Sequence, residues 1–175
     1  MEKSIQNIVD EANKFIEIRK ATIDDYAAVS VLENLEFGLH REFRPDYFKL
    51  SETGYTKSEF QELMAHPCPI CWLAVQDETV VGLCFGKIGK TPEDAVCKSR
   101  LVAFIQDIVT LPECRGKGIA TALLVKAREQ ALNEGVESLE LCVWNFNAEA
   151  IRLYEKMGMK VQYSRMEENL KQKRN

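Results

Sequence analysis

Residues 101–124 read LVAFIQDIVTLPECRGKGIATALL, an apolar run of strand length that passes through a Pro-containing turn and two glycines into a helix. That helix carries Ala120, Leu123, Leu124, Ala127 and Ala131 at helical spacing, and Gly135 stops it. The alternation continues with a strand at Leu139–Trp144, a helix over Asn147–Met157 ended by Gly158, and a last strand from Met159 through Tyr163 toward Leu170. Strand, helix, strand, helix, strand at this spacing predicts helices packed on a sheet. Upstream, Ile70–Val75 and Thr79–Phe85 flank Gln76-Asp77-Glu78, which predicts an antiparallel hairpin in front of the α/β half.

The first third is less regular. Ile5, Ile8, Val9 and Ala12 fall on one helical face, a short N-terminal extension over residues 1–14, and residues 15–175 are expected to form a single domain. Phe15–Arg19 alternates like a strand. Thr22 or Asp24 then caps a helix carrying Tyr26, Val29, Val31, Leu32 and Leu35. A turn at Arg44-Pro45-Asp46 precedes a helix near 58–65, which Ser58 and Gln61 open as a capping box.

Length and charge exclude some functions. A chain of 175 residues buries a real core. A net charge of -4 argues against a broad nucleic-acid face, and no apolar run reaches the ~20 residues that span a bilayer. The start of the chain does not lead into a signal-peptide core, so a cytoplasmic location with reduced thiols is expected. Of the six cysteines, Cys84 and Cys142 lie in strand-like apolar runs, where thiols act as small hydrophobes. Cys68 and Cys71 have zinc-like spacing, but a structural site needs four ligands and no second pair exists. No metal is expected.

The glycine turn presents helix N–H groups without intrahelical partners, and the helix dipole adds partial positive charge. Phosphate suits such a site. A P-loop needs a glycine at Leu111 and Ser or Thr at Gly118, and a dinucleotide fingerprint needs a glycine at Thr121, so both designs fail. Arg115-Gly116-Lys117-Gly118-Ile119-Ala120 instead resembles the pyrophosphate loop, Gln/Arg-x-x-Gly-x-Gly/Ala, of the GNAT-type N-acetyltransferases, which use acetyl-coenzyme A. Phe104–Pro112 resembles the strand before that loop, and Asn147, Ala150, Tyr154 and Gly158 match the family's following helix, with Met159 in place of the usual aromatic. The resemblance covers about residues 15–170.

The resemblance implies an α/β (α+β) fold with a central splayed mixed sheet flanked by helices. It implies a gap between strands 101–111 and 138–144 that takes the pantetheine arm. Ile108, Val109 and Thr110 are then expected to contact the arm, and residues 116–120 (Gly116, Lys117, Gly118, Ile119 and Ala120) to hold the pyrophosphate. Arg115 belongs to the loop motif, with an ordinary surface charge as its plainer reading. Lys117 either adds charge or is simply solvated. Asn147 is the coenzyme-bonding position and equally a helix N-cap. Tyr154 stands where the family often keeps the acid that protonates the departing thiolate, or else packs on the sheet. The expected acceptor is an amine, either a small cationic metabolite or a peptide amino group. A homodimer is compatible with this reading, while nucleic acid and membrane are not expected partners.

An alkylamine costs about 4–5 kcal/mol to deprotonate at neutral pH, so a base or a desolvating pocket must help. The polyamine-type members of the family often carry glutamate nine residues before the loop arginine; here that residue is Gln106, which has no useful basicity. Strand alternation turns Asp107 to the opposite face, as a structural carboxylate. Glu33, Glu36 and Glu42 are acidic residues of the acceptor-side helix, where a solvated face is the ordinary expectation, and His40 reads as a surface or packing residue. The base stays unassigned. Two functions remain open: an acetyltransferase, or a coenzyme A-binding regulatory or interaction domain that keeps the fold without turnover.

Overall fold

The computed structural model describes residues 16–49 and 54–170, so the expected N-terminal helix lies outside the described residues. The chain divides into two compact units, Met1–Cys142 and Val143–Asn175. The first holds a five-stranded sheet in the order β1-β2-β3-β4-β5. Its strands are β1 (Ile16–Lys20), β2 (Pro69–Gln76), β3 (Thr79–Lys90), β4 (Leu101–Thr110) and β5 (Ser138–Leu141). The first four pair antiparallel and β5 joins β4 in parallel, so the expected mixed α/β fold with flanking helices is the one that forms. The hairpin turns on Asp77 and Glu78, whose φ values of 48° and 63° give the left-handed pair of a two-residue turn matched to strand twist.

Helices cover both faces. Helix α1 (Tyr26–Phe43) and helix α2 (Lys57–Met64) lie on one side, where Val29, Leu32, Phe60, Leu73, Leu83, Phe85 and Val109 form one apolar cluster. Helix α3 (Ile119–Asn133) covers the other side with Ile119, Leu123, Ala127 and Ala131 against Ala74, Cys84, Ala103 and Ile105. The cap of α2 differs from expectation. Thr56 accepts from the Glu59 N–H and the Glu59 carboxylate accepts from Thr56, because a Thr-x-x-Glu box two residues upstream outcompetes Ser58 and Gln61. Thr22 pairs with Asp25 at the short 3-10 turn before α1, and a bidentate Arg19–Asp25 contact at 2.7 and 2.9 Å braces it. Among the described residues no helix is long and apolar enough to cross a membrane.

One irregularity in β4 positions everything that follows. Phe85 pairs with Asp107 and Gly86 with Ile105, so Gln106 has no partner in β3 and forms a β-bulge. The extra residue resets the alternation. Ile105 packs toward α3, whereas Asp107 and Val109, which unbroken alternation would put on that same side, turn toward α1. Opposite the bulge, Gly86 lies so close to β4 that an added Cβ would sit 2.3 Å from the Phe104 carbonyl oxygen.

The second unit carries helix α4 (Ala148–Lys156) with Asn147 as its cap, and Trp144 stacks on Phe146 at 5.8 Å. Asn147 Oδ1 accepts from the Ala150 N–H at 3.2 Å. The strand expected after Gly158 is not assigned; residues 159–169 run without a ladder, with Val161, Tyr163 and Met166 exposed. Apolar alternation supplies the side chains of a strand, but a ladder also needs a neighbouring edge.

Gly86→Ala tests the close approach at the bulge. The clash is with backbone that cannot swing aside, so the variant is expected to lose about 2 kcal/mol or more in urea unfolding. A change below about 0.5 kcal/mol would mean that β3 and β4 tolerate a wider gap.

Candidate active site

The parallel ladder between β4 and β5 ends at the pair Ile105 and Leu141, yet β4 runs on to Thr110. The ladder between them therefore stops level with the bulge, where β5 ends. Beyond it, the Leu111 N–H donates to the Val81 carbonyl at 2.9 Å. Backbone groups alternate sides along a strand, so Val109 also turns its N–H and C=O to β3 while Ile108 and Thr110 turn theirs to the open side. Val109 puts its side chain into the α1 core at 6% exposure. Of the three residues expected along the pantetheine arm, Ile108 and Thr110 thus offer backbone groups, and the Thr110 hydroxyl is buried without a partner among the described residues.

A 3-10 turn at Pro112–Cys114 leads into the glycine loop. Gly116 and Gly118 have φ of 76° and 81°, conformations that favour glycine, and α3 starts at Ile119. Apart from its chain neighbours, neither glycine has an atom of the described residues within 4 Å of where a Cβ would stand. The glycines therefore serve backbone shape and leave open space in front of the first turn of a 15-residue helix. That is the geometry an anion needs to approach N–H groups. Arg115 and Lys117 are exposed, Ile119 is buried at 2%, and Ala120 is half-buried. The chain therefore presents backbone at the loop, and its residues fit a pyrophosphate.

On the α1 side of β4, the structure assembles a group of residues that reading along the chain did not. Glu33 and Glu36 of α1 and Asp107 of β4 bring carboxylate oxygens within 4.8 Å of one another. Glu33 has 0% exposure, and both its oxygens, together with Glu36 Oε2, lack a partner among the described residues. The Tyr55 hydroxyl donates to Asp107 at 2.6 Å. Tyr55 is delivered by Gly54, where an added Cβ would lie 2.3 Å from Glu33 Cβ, and is steadied by Tyr26, whose hydroxyl donates to the Tyr55 carbonyl at 3.2 Å. The solvated acidic face expected for α1 is therefore corrected at Glu33 and Glu36, which are inside, and holds at Glu42, which is exposed. Asp107 is likewise not turned away from them, because the bulge rotates it to their side.

The electrostatics follow from burial. Burial raises Asp107 above the ordinary carboxylate range, and the Tyr55 hydrogen bond, which favours the anion, opposes part of that rise. Desolvation first, then the charge on Asp107, raises Glu36 well above the ordinary carboxylate range. The same causes, with Glu36 added, push Glu33 up to about 10. The Tyr55 phenol is raised by its burial and by the Asp107 charge. At neutral pH Glu33 is thus protonated and Glu36 is pushed the same way, while Asp107, with the Tyr55 hydrogen bond, is the member in which the anion is most favoured. His40, one turn beyond Glu36, is lowered by burial and stacks on Phe48 at 5.2 Å, which makes it a packing residue.

The remaining candidates fall elsewhere. Cys68 and Cys71 gather no third metal-ligating side chain among the described residues, and burial raises both thiols, Cys71 to about 12. Cys142 lies just beyond the end of β5 and is exposed, so it is not the buried strand thiol expected. Tyr154 and Asn147 belong to the second unit, on α4 and at its cap.

A signal for the carboxylates was present in α1. Tyr26, Val29, Glu33, Glu36 and His40 continue one helical face, and acids standing where apolar residues belong mark a buried charge. Tyr55 had no such signal, since its role depends on a contact 52 residues away.

Residues 37–159 match the Acetyltransferase (GNAT) family, and the chain belongs to it. It is an acyltransferase by that membership. The thialysine N-epsilon-acetyltransferase of Bos taurus is 28% identical over 145 residues, 82% of this chain and 84% of that protein. The Mus musculus enzyme of the same name is 38% identical over 55 residues, 32% of its length. A tetramutant protein from Bacillus halodurans superposes with TM-score 0.83 at 27% identity, covering 88% of this chain and 99% of that one. An aminoglycoside N-acetyltransferase in complex with CoA shares the fold with TM-score 0.64 at 16% identity, covering 88% and 93%.

Glu33→Gln tests the buried charge through stability. Glu33 is protonated in the folded chain up to about pH 10 but ionised in the unfolded chain above its ordinary pKa near 4.5, so folding takes up a proton between these values. The wild type is therefore expected to lose stability as pH rises through this window. The variant should flatten that slope and be more stable at pH 8 by ~1 kcal/mol or more, as read by urea unfolding at pH 5, 7 and 9. Parallel pH curves would mean that Glu33 ionises freely in the fold.

Proposed function

We propose that the chain transfers acetyl from acetyl-coenzyme A to a primary amine that arrives as a cation, by direct attack in a ternary complex. The observation that carries this reading is the group of buried carboxylates at Glu33, Glu36 and Asp107, none compensated by a basic side chain among the described residues. Buried acids without a basic partner are costly and persist only where something else requires them. A protonated amine is the complementary ligand. The net charge of -4 favours its approach from a distance. Relatives named for thialysine and aminoglycosides support an amine acceptor of this class.

The coenzyme lies along the open side of β4, with backbone groups of Ile108 and Thr110 lining its arm and residues 116–120 receiving its pyrophosphate through backbone N–H groups. The open space before Gly116 and Gly118 supports this placement. Arg115 and Lys117 supply charge around the phosphates, and Asn147 adds a hydrogen bond from the cap of α4. Tyr154 protonates the departing thiolate, as the family resemblance of its position suggests. A small metabolite or a peptide amino group fits equally as acceptor, in the cytoplasm.

Release of free thiol from acetyl-coenzyme A, followed with spermidine, lysine, an aminoglycoside and a short peptide, tests the reading. Turnover is expected with at least one of these cationic amines, rising from pH 7 toward pH 9 and weakening as salt is added. Tight coenzyme binding without turnover on any amine would favour the non-catalytic coenzyme-binding domain.

Gly116→Val combined with Gly118→Val tests the cradle. Side chains there enter the space the phosphates need, and acetyl-coenzyme A affinity is expected to fall ~100-fold or more by calorimetry. Unchanged affinity in the folded variant would move the pyrophosphate elsewhere.

A further inference from the structure

We propose that Asp107 is the proton acceptor for the attacking amine, in the role that Gln106 cannot fill, with Tyr55 as the residue that positions its carboxylate. This rests on the acetyltransferase reading above. Geometry supports it at three points. The bulge at Gln106 turns Asp107 toward the carboxylates of α1, while the next residue, Ile108, faces its backbone to the open side of β4. Asp107 keeps partial exposure as a residue whereas Glu33 has 0%, so Asp107 is the more accessible of the two. The Tyr55 hydroxyl at 2.6 Å holds one carboxylate oxygen and leaves the other for the amine.

The groups facing Asp107 decide its charge. From α1 they are Glu33 and Glu36 and from the loop before α2 Tyr55; the Cys84 thiol of β3 lies on the α3 side of the sheet and is raised by burial and by the Asp107 charge. His40, further along α1, is stacked on Phe48 and held toward its neutral form by burial. No cation opposes the anion among these groups. The hydrogen bond from Tyr55 favours Asp107 as the ionised member, and a charge there raises both glutamates. An entering ammonium therefore meets one carboxylate able to take a proton and two neutral acids able to hydrogen-bond.

The balance is simple. One ammonium proton passes to the free Asp107 oxygen, leaving an amine whose lone pair attacks the thioester carbonyl carbon. The N–C bond forms and the C–S bond breaks, and a second nitrogen proton ends on the sulfur of the departing coenzyme, so the products are the N-acetyl amine and a thiol. Asp107 then returns its proton to solvent.

The experiment measures kcat and kcat/KM against pH with acetyl-coenzyme A and each amine of spermidine, lysine, an aminoglycoside and a short peptide. Asp107→Asn keeps an acceptor for the Tyr55 hydroxyl and is expected to lower kcat ~100-fold or more with acetyl-coenzyme A affinity unchanged. Tyr55→Phe withdraws the hydrogen bond that favours the anion, so the acid limb of kcat/KM should move to higher pH by about one unit. Gln106→Ala is expected to stay within about threefold of wild type. A wild-type rate in Asp107→Asn, or an unmoved acid limb in Tyr55→Phe, overturns the proposal and leaves acetyl transfer standing. Failure of the wild type on every amine overturns acetyl transfer and the base together. A loss in Gln106→Ala as large as that in Asp107→Asn would assign the role to a water held by the amide and overturn Asp107.

Discussion

The bulge at Gln106 is the constraint on which the site depends. A single unpaired residue in β4 separates two halves of one strand with different duties. Before it, β4 pairs with both neighbours and carries apolar side chains toward α3. After it, the parallel ladder has ended, backbone groups of Ile108 and Thr110 face the open side, and Asp107 meets the acids of α1. A regular strand would have put Asp107 against the apolar underside of α3, where an uncompensated carboxylate would have cost several kcal/mol. Gly86 makes the irregularity sustainable, because any side chain there would collide with the Phe104 carbonyl.

The buried acids trade stability for a binding property. Glu33 and Glu36 sit where the helical period calls for apolar residues, and their unsatisfied oxygens cost the fold more than Leu or Met would. Tyr55 limits the expense by keeping the charge on one carboxylate, and Gly54 lets its loop close on α1. On the proposed function, a ligand carrying positive charge would offset that cost, and its binding would be coupled to the protonation of the whole group. The coenzyme side is built differently. There the loop offers backbone N–H groups at a helix start and open space, with the flanking cations exposed.

The sequence by itself determined the sheet-and-helix architecture, the glycine loop and the family. Strand and helix periods, capping residues and positive-φ glycines are local properties, written in residues that are neighbours along the chain. Hence the hairpin at Asp77 and Glu78, the span of β4, the start of α3 and the Asn147 cap were legible in advance. Where local signals competed, the boundary moved, as at Thr56, whose capping box lies upstream of Ser58. The strand expected after Gly158 needed an edge to pair with, and side-chain alternation does not provide one.

The tertiary structure alone decided the acceptor-side chemistry. Whether an acid on α1 is solvated or buried depends on what covers that face, and the cover comes from Gly54 and Tyr55, far along the chain. Which way Asp107 points depends on the register between β3 and β4, since a period-2 pattern reverses whenever one residue is inserted. Both facts arise from long-range pairing. A sequence read residue by residue contains the carboxylates and the phenol, but only the fold turns them toward one another.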